Sequence, residues 1–456
     1  MASVRLNSLK SNRSILHFAQ NFTWLCLLTE DSQVQDLKGV ERDEFTVPGG
    51  KDSMIRFSFC FFIFAPTFLA AQVFDNMVEI TTPVGINAME PALFGTEDGG
   101  IVLAWTEPDG EGFAVKSATL KDEKWSTPST ATSSSSLFVN WADFPTIAAF
   151  PDGTLAVSWL QESAKVSYSY DIKIVLSHDA GQMWGSPIQP HDDQSMRQHG
   201  FLTLLPTAQD EMLAVWLDAR DYNSQDVGGG FDNAVQLRST TIGKDGTLGR
   251  DTPLDLRACS CCQTSASITG DGTVLVAYRD RTADEIRDIS IVRRHNGVWS
   301  DPVNIHADGW EISGCPVNGP AIDAQANNAV VAWFTGADDI PTVKVVFSED
   351  SGATFGTAFQ VDTGDGVGRV STLMLANGEA LISWVDWTDD GEALMLCRAT
   401  RNEGCVVRQT ITKHAVSGSF NFPKLERSGD TIYLAWTQPM DAGKDLSTVR
   451  MVAFTD

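Results

Sequence analysis

Positive charge is what this chain is shortest of: 33 Lys and Arg stand against 59 Asp and Glu in 456 residues, for a formal net charge of -26. A nucleic-acid surface needs clustered cations that release the counterions of phosphates, so the balance argues against that class of partner. The acidic excess serves solubility. Beyond residue 71 there is no apolar stretch of the roughly 18 residues that a spanning helix requires, and no membrane span is expected there. No window of about a dozen residues keeps a 3.6-residue apolar period, so helices should be nearly absent. Cysteine is sparse as well, with eight in the whole chain, too few for a small disulfide scaffold. What is abundant is core material: 43% hydrophobic residues, among them 13 Trp, exclude a disordered or collagen-like chain.

Residues Met54 to Ala71 read MIRFSFCFFIFAPTFLAA, with one Arg, a Phe-rich run from Phe57 to Phe64 and then small residues. That order is the order of a secretory signal, and the run is short for a bilayer. The expected organisation is an upstream extension without function over residues 1–53, with translation beginning at Met54, and a signal peptide over residues 54–71. The mature chain over residues 72–456 is then exported, periplasmic or secreted, and forms a single domain.

From residue 90 onward one pattern recurs: an apolar segment, a Gly or Asp/Asn turn, then an apolar strand ending in an aromatic. The aromatics are Trp105, Trp159, Trp216, Tyr278, Trp333, Trp384 and Trp436, at intervals of 51 to 62 residues. A period of that size signals a solenoid or a propeller. Third strands such as IKIVLS before His178 and VKVVFS before Glu349, each followed by a turn and a fourth segment, make four short antiparallel strands per unit, the content of a propeller blade. The last unit stops after its third strand, while an unassigned strand, VFDNMVEIT, opens at Val73. Pairing the two would close a ring and remove exposed edges. The fold class expected is all-β, a seven-bladed β-propeller of four-stranded antiparallel blades closed by an N-terminal strand; six blades, or two packed sandwiches with accidental periodicity, are the alternatives.

Two turns carry a resemblance. Ser177-His-Asp179-Ala-Gly181-Gln-Met183-Trp184 and Ser348-Glu-Asp350-Ser-Gly352-Ala-Thr354-Phe355 resemble the Asp-box of sialidases and related propellers, in which a carboxylate bonds turn amides and Gly takes positive φ. The resemblance covers most of residues 72–456. It implies the propeller fold, and for sialidases an arginine clamp on a sugar carboxylate, a Tyr/Glu pair and an Asp acid. Where those enzymes carry Phe-Arg-Ile-Pro, this chain has Met89-Glu90-Pro91-Ala92; Glu90 would repel a sugar carboxylate that Arg would pair with. The chain is also similar to a group of exported bacterial sialidase-like proteins sharing the elements seen here at Cys259 to Thr264, Tyr278 to Arg281 and Gly314 to Pro320.

In such a ring the starts of the innermost strands and the loops from second to third strand share one face, the usual ligand face near the axis. That face should hold Glu90, Asp143, His199, Cys259, Cys261, Cys262, Cys315 and Arg369, with Asp218, Arg220, Asp221, Tyr222, Arg279, Asp280, Arg281, Glu285 and Arg287 added by loops. Cys397 and Cys405 flank a hairpin turn and are expected to form a disulfide. Cys259, Cys261, Cys262, Cys315 and His199 offer soft ligands suited to copper or zinc; two further disulfides, or a redox-active mixture, are the alternatives. Arg279, Arg281 and Arg369 can hold an anion, or pair internally. The leading function is binding of a metal ion or small anionic ligand at the axial face through the Cys/His cluster and these arginines. The first alternative is an exo-sialidase-type glycoside hydrolase with Tyr222 as nucleophile, Glu285 beside it and Asp143 as acid, Glu90 being a possible acid/base partner. A non-catalytic protein-binding propeller is the second. A small molecule, glycan or metal is the partner expected.

Overall fold

Segments rich in Val, Ile, Leu and aromatics, separated by Gly, Asp and Asn turns, fold here into seven small antiparallel sheets. The computed structural model describes residues 74–456 apart from 75, 166–167, 223–233, 416–417, 419 and 441–445. The expected extension and signal segment lie outside the described residues. The seven sheets are the blades of a β-propeller, and their innermost strands are Met89–Gly95, Ile147–Ala149, His199–Ala208, Ser265–Ile268, Ala321–Gln325, Gly366–Met374 and Lys424–Ser428. The ring closes as expected: Val78–Ile80 pairs antiparallel with the last strand, Ser447–Thr455, matching Val78 to Ala453 and Ile80 to Met451.

The four-strand rule bends in three blades. The first and fourth carry a fifth short strand, and the second keeps three, its outermost position reduced to one bridge between Ile174 and Ile188. Pro187 and Pro190 flank Ile188 and have no N–H to give a ladder. Among the described residues the one helical element is the 3-10 turn Ala337–Asp339. None is a helix long and apolar enough to cross a membrane.

The core is divided like the ring, with one apolar cluster at each junction between adjacent blades, seven in all. The recurrent aromatics are 5% exposed or less, so each contributes about 1.5–3 kcal/mol of burial. Their polar atoms follow a local rule. Residues two apart share a face of a strand, and the indole N–H groups of Trp105, Trp216, Trp384 and Trp436 donate to Glu107, Asp218, Asp386 and Gln438 at 2.7 to 3.1 Å. The turns after the third strands of blades two and five share one geometry. Gly181 N–H donates to Ser177 Oγ and Met183 N–H to Asp179 Oδ1, as Gly352 does to Ser348 and Thr354 to Asp350, all at 2.8 to 2.9 Å. The Cys397–Cys405 disulfide forms across the sixth blade's hairpin, Cα atoms 5.9 Å apart.

Candidate functional site

Several inner strands begin at the axial face with an irregularity. The register slips between Met89 and Ala92, between Gly200 and Thr203, and between Gly368 and Ser371. At those slips Glu90, Phe201 and Arg369 take φ of 57°, 55° and 56°, left-handed values that cost about 1–3 kcal/mol each for such residues. The preceding blade holds each one in place. Glu90 N–H donates to Thr437 Oγ1 at 3.0 Å, Phe201 N–H to Asp143 Oδ1 at 2.8 Å, and Arg369 N–H to Asn318 Oδ1 at 2.7 Å. Strain held from outside in this way is a mark of functional surfaces.

Below this rim lies an axial cavity of about 330 Å³ to which all seven inner strands contribute; it is lined by Asp143, Phe144, Asp323, Phe422, Lys424 and Glu426 among others. Its volume sits at the lower end of the ~300–1,000 Å³ usual for small-molecule pockets. Trp141, next in the chain to the lining residue Ala142, is 45% exposed. Its ring stacks on Phe422, centroids 6.0 Å apart, and the Arg369 guanidinium lies 5.2 Å from it. Within the lining, Lys424 Nζ sits 3.7 Å from the centroid of Phe144, and no carboxylate among the described residues pairs with it. Lys424 borders the cavity, yet protein surrounds it, and that burial pushes its ammonium down to about 7. Burial likewise raises Asp143 to about 7, Asp323 to about 6, Glu426 to about 8 and Glu90 to about 8, the last two aided by a neighbouring carboxylate. The axis thus carries ionisable groups poised around neutrality.

The cysteines do converge on this face. Cys261 and Cys315 are joined in a disulfide with Cα atoms 6.0 Å apart, while Cys259 and Cys262 are free, buried, and 3.2 Å from sulfur to sulfur. The Cys262 thiol hydrogen-bonds to Cys259 and, with Arg287 and Arg279 nearby, holds Cys259 down to about 6; Arg287 Nη1 lies 3.4 Å from that sulfur. Burial drives Cys262 the other way. The expectation that Cys259, Cys261, Cys262, Cys315 and His199 share one metal ion needs correction in this structure. A disulfide sulfur offers no thiolate, and the His199 ring turns to Asp193 at 2.9 Å and Asp171 at 3.4 Å. The reason is positional: His199 projects toward the second blade's third strand, whereas the cysteines lie at the start of the fourth.

The arginines are engaged internally. Arg279 is 1% exposed, donates to the carbonyls of Asn318, Arg287 and Phe334 at 2.6 to 2.9 Å, and stacks on Trp310. Arg281 and Arg287 both pair with Glu285, at 2.6 and 2.8 Å. Arg369 donates to the Phe420 carbonyl and lies 3.5 Å from Glu392. Asp143 accepts from Phe201 N–H and from the Tyr170 hydroxyl at 3.2 Å. Tyr222 is half-buried against the core between blades three and four. No hydrogen bond among the described residues joins Asp143, Tyr222 and Glu285. Sequence reasoning overlooked Lys424, Glu426 and Trp141. The signal for the first two was present: Lys424 and Glu426 are charged at alternate positions of an inner strand, Lys-Leu-Glu, where the second unit reads Thr146-Ile147-Ala148.

No protein-family model matches the chain, and no curated protein does. Among solved structures it is similar to a Dyadobacter fermentans protein of unknown function, at 14% identity and TM-score 0.47, covering 84% of this chain and 99% of that one. It is also similar to a Penicillium chrysogenum alpha-L-arabinanase complexed with arabinobiose, at 12% identity and TM-score 0.45 over 83% and 98% of the two chains. The NanB sialidase from Streptococcus pneumoniae follows at 10% identity and TM-score 0.43, over 84% and 70%. What the chain itself defines is a seven-bladed propeller with an axial ligand-sized cavity.

Proposed function

We propose that the chain is an exported propeller that binds a small anionic ring compound, of the acidic-sugar class, in its axial cavity. The observation that carries this reading is Lys424, a half-buried cation lining the cavity without a carboxylate partner among the described residues, on a cavity whose Phe422 stacks against the exposed Trp141. Trp141 supplies a flat apolar face for a ring, the use to which exposed tryptophans are suited. An anion delivered to Lys424 provides the counter-charge that the fold withholds. Binding therefore takes up a proton near neutral pH, and affinity weakens as pH rises above about 7. The two disulfides favour an oxidising compartment, in keeping with export.

The test is calorimetric titration with galacturonate and N-acetylneuraminate against neutral galactose at pH 6 and pH 8, with Trp fluorescence alongside. Acidic sugars should bind at least tenfold more tightly than the neutral one, most tightly at pH 6, and Lys424→Met should abolish the preference. Equal affinities for acidic and neutral sugars, or an unaffected variant, would refute the proposal. Hydrolysis has weaker support, because Asp143 already accepts two hydrogen bonds and Tyr222 and Glu285 are engaged elsewhere. Turnover of a fluorogenic sialoside between pH 4 and 8 would reverse that preference.

A further inference from the structure

One cluster on the same face holds more lone pairs than protons. His191, in the crossing from the second blade to the third, and His199, at the start of the third blade's inner strand, stack with centroids 3.8 Å apart and planes 6° from parallel. They are 4% and 0% exposed. One nitrogen of each ring has an acceptor. His191 Nδ1 lies 3.2 Å from the Asp193 carbonyl, and His199 Nε2 lies 2.9 Å from Asp193 Oδ2, with Asp218 Oδ1 at 3.7 Å. Gln189 Nε2 is 3.3 Å from the same His191 nitrogen, but it has the carbonyls of His191 and Asp193 as further acceptors. Those acceptors place the ring protons on His191 Nδ1 and His199 Nε2.

The two remaining nitrogens, His191 Nε2 and His199 Nδ1, have no hydrogen-bond partner. Both face a single carboxylate oxygen, Asp171 Oδ1, at 3.8 and 3.4 Å. Lys173 lies near the other oxygen, Oδ2, at 3.7 Å, and its ammonium is also bound to Gln189 at 2.5 Å. With both rings neutral, three electron-rich atoms therefore meet in the interior, an arrangement that costs desolvation until a proton or a metal ion enters it. A cation reverses that balance. Atoms bound at about 2.1 Å to a tetrahedral ion lie about 3.4 Å apart; the two nitrogens lie 3.8 and 3.4 Å from Asp171 Oδ1 and all three donors fall within 4.8 Å of one another, so rotation of one ring out of the stack brings both lone pairs onto one ion.

We infer that Asp171, His191 and His199 form a site for a divalent transition-metal ion, zinc by its two-nitrogen, one-oxygen donor set. Asp193 orients both rings from outside, and Asp218, itself held by Trp216 and Arg220 at 2.9 and 2.8 Å, backs His199. Outer carboxylates of this kind fix the tautomer of a ligating histidine and raise its basicity. Three protein donors leave a fourth position for water or a ligand atom. The site stands apart from the cysteine cluster and does not depend on what the axial cavity binds.

The experiment measures metal content of the full-length purified protein and zinc affinity after chelator treatment, with Co(II) as a spectroscopic stand-in. Expected are one zinc per chain and the visible ligand-field bands of tetrahedral Co(II), without the near-ultraviolet bands of cobalt bound to sulfur. Asp171→Asn and His191→Gln, each checked for native circular dichroism, should weaken zinc by more than the ~10–100-fold that loss of an outer hydrogen-bonding partner costs. Cys259→Ser, made in parallel, should leave zinc binding unchanged. Absence of stoichiometric zinc, sulfur-to-cobalt bands, or retention of zinc by both ligand variants would overturn the assignment, the first by making the cluster a protonated histidine paired with Asp171.

Discussion

Replacing Lys424 by Met should stabilise the protein, and by an amount that depends on pH. In the unfolded chain the side chain keeps its proton to the ordinary value of 10.5, whereas in the fold burial lowers that to about 7. A gap of about 3.5 pH units at ~1.4 kcal/mol per unit is ~5 kcal/mol, an upper bound because the cavity admits some water. Below pH 7 both states are protonated and the folded one bears the whole cost. Between pH 7 and 10.5 the unfolded chain binds more protons, so stability rises with pH; above 10.5 the cost is gone. Met keeps the length of the stem and its contact with Phe144 while removing the charge. The variant should therefore exceed the parent by up to ~5 kcal/mol at pH 6, by ~3 at pH 8 and by almost nothing near pH 10.5. Urea unfolding followed by Trp fluorescence at those three values measures it, and other titrating groups cancel in the difference between the two proteins. A Met variant that is less stable at pH 6, or whose advantage does not vary with pH, would show that Lys424 has a compensating partner, and the argument for an anionic ligand would go with it.

Thiol titration in denaturant of a chain starting at residue 72 should find two free thiols without reductant and six with it, since only Cys259 and Cys262 are unpaired among residues 74–456; four or none without reductant contradicts this pairing. Gly352→Ala should cost about 1–3 kcal/mol in urea midpoint measurements, because φ is 71° there and a Cβ would sit 2.8 Å from Leu275. Trp216→Phe removes the indole N–H that Asp218 accepts at 2.9 Å in the interior, and should lose about 1–3 kcal/mol by the same assay. A change below 0.5 kcal/mol in either variant would mean that the neighbouring atoms give way more easily than their packing implies.

The blades were legible because their determinants are local. Each aromatic, from Trp105 to Trp436, sits in its unit's second strand one to four residues before the strand ends, and in five blades its N–H partner is two residues on, on the same strand face. Each Ser-x-Asp-x-Gly turn bonds within itself. The Cys397–Cys405 hairpin spans eight residues. Strand alternation and turn chemistry act over such distances, so count, order and closure of the ring followed from the chain alone. Pairings across blades did not. The choice of Cys261 rather than Cys259 as partner of Cys315 depends on ångström-scale approach between loop residues 54 positions apart. His199 found Asp171 and His191, one from another blade and one from an irregular crossing that no periodicity marks. Lys424 is an ordinary lysine in the sequence, and it becomes a half-buried, cavity-lining one through the meeting of seven inner strands. Ionisation, metal affinity and ligand fit are properties of surroundings, and only the closed ring creates those surroundings.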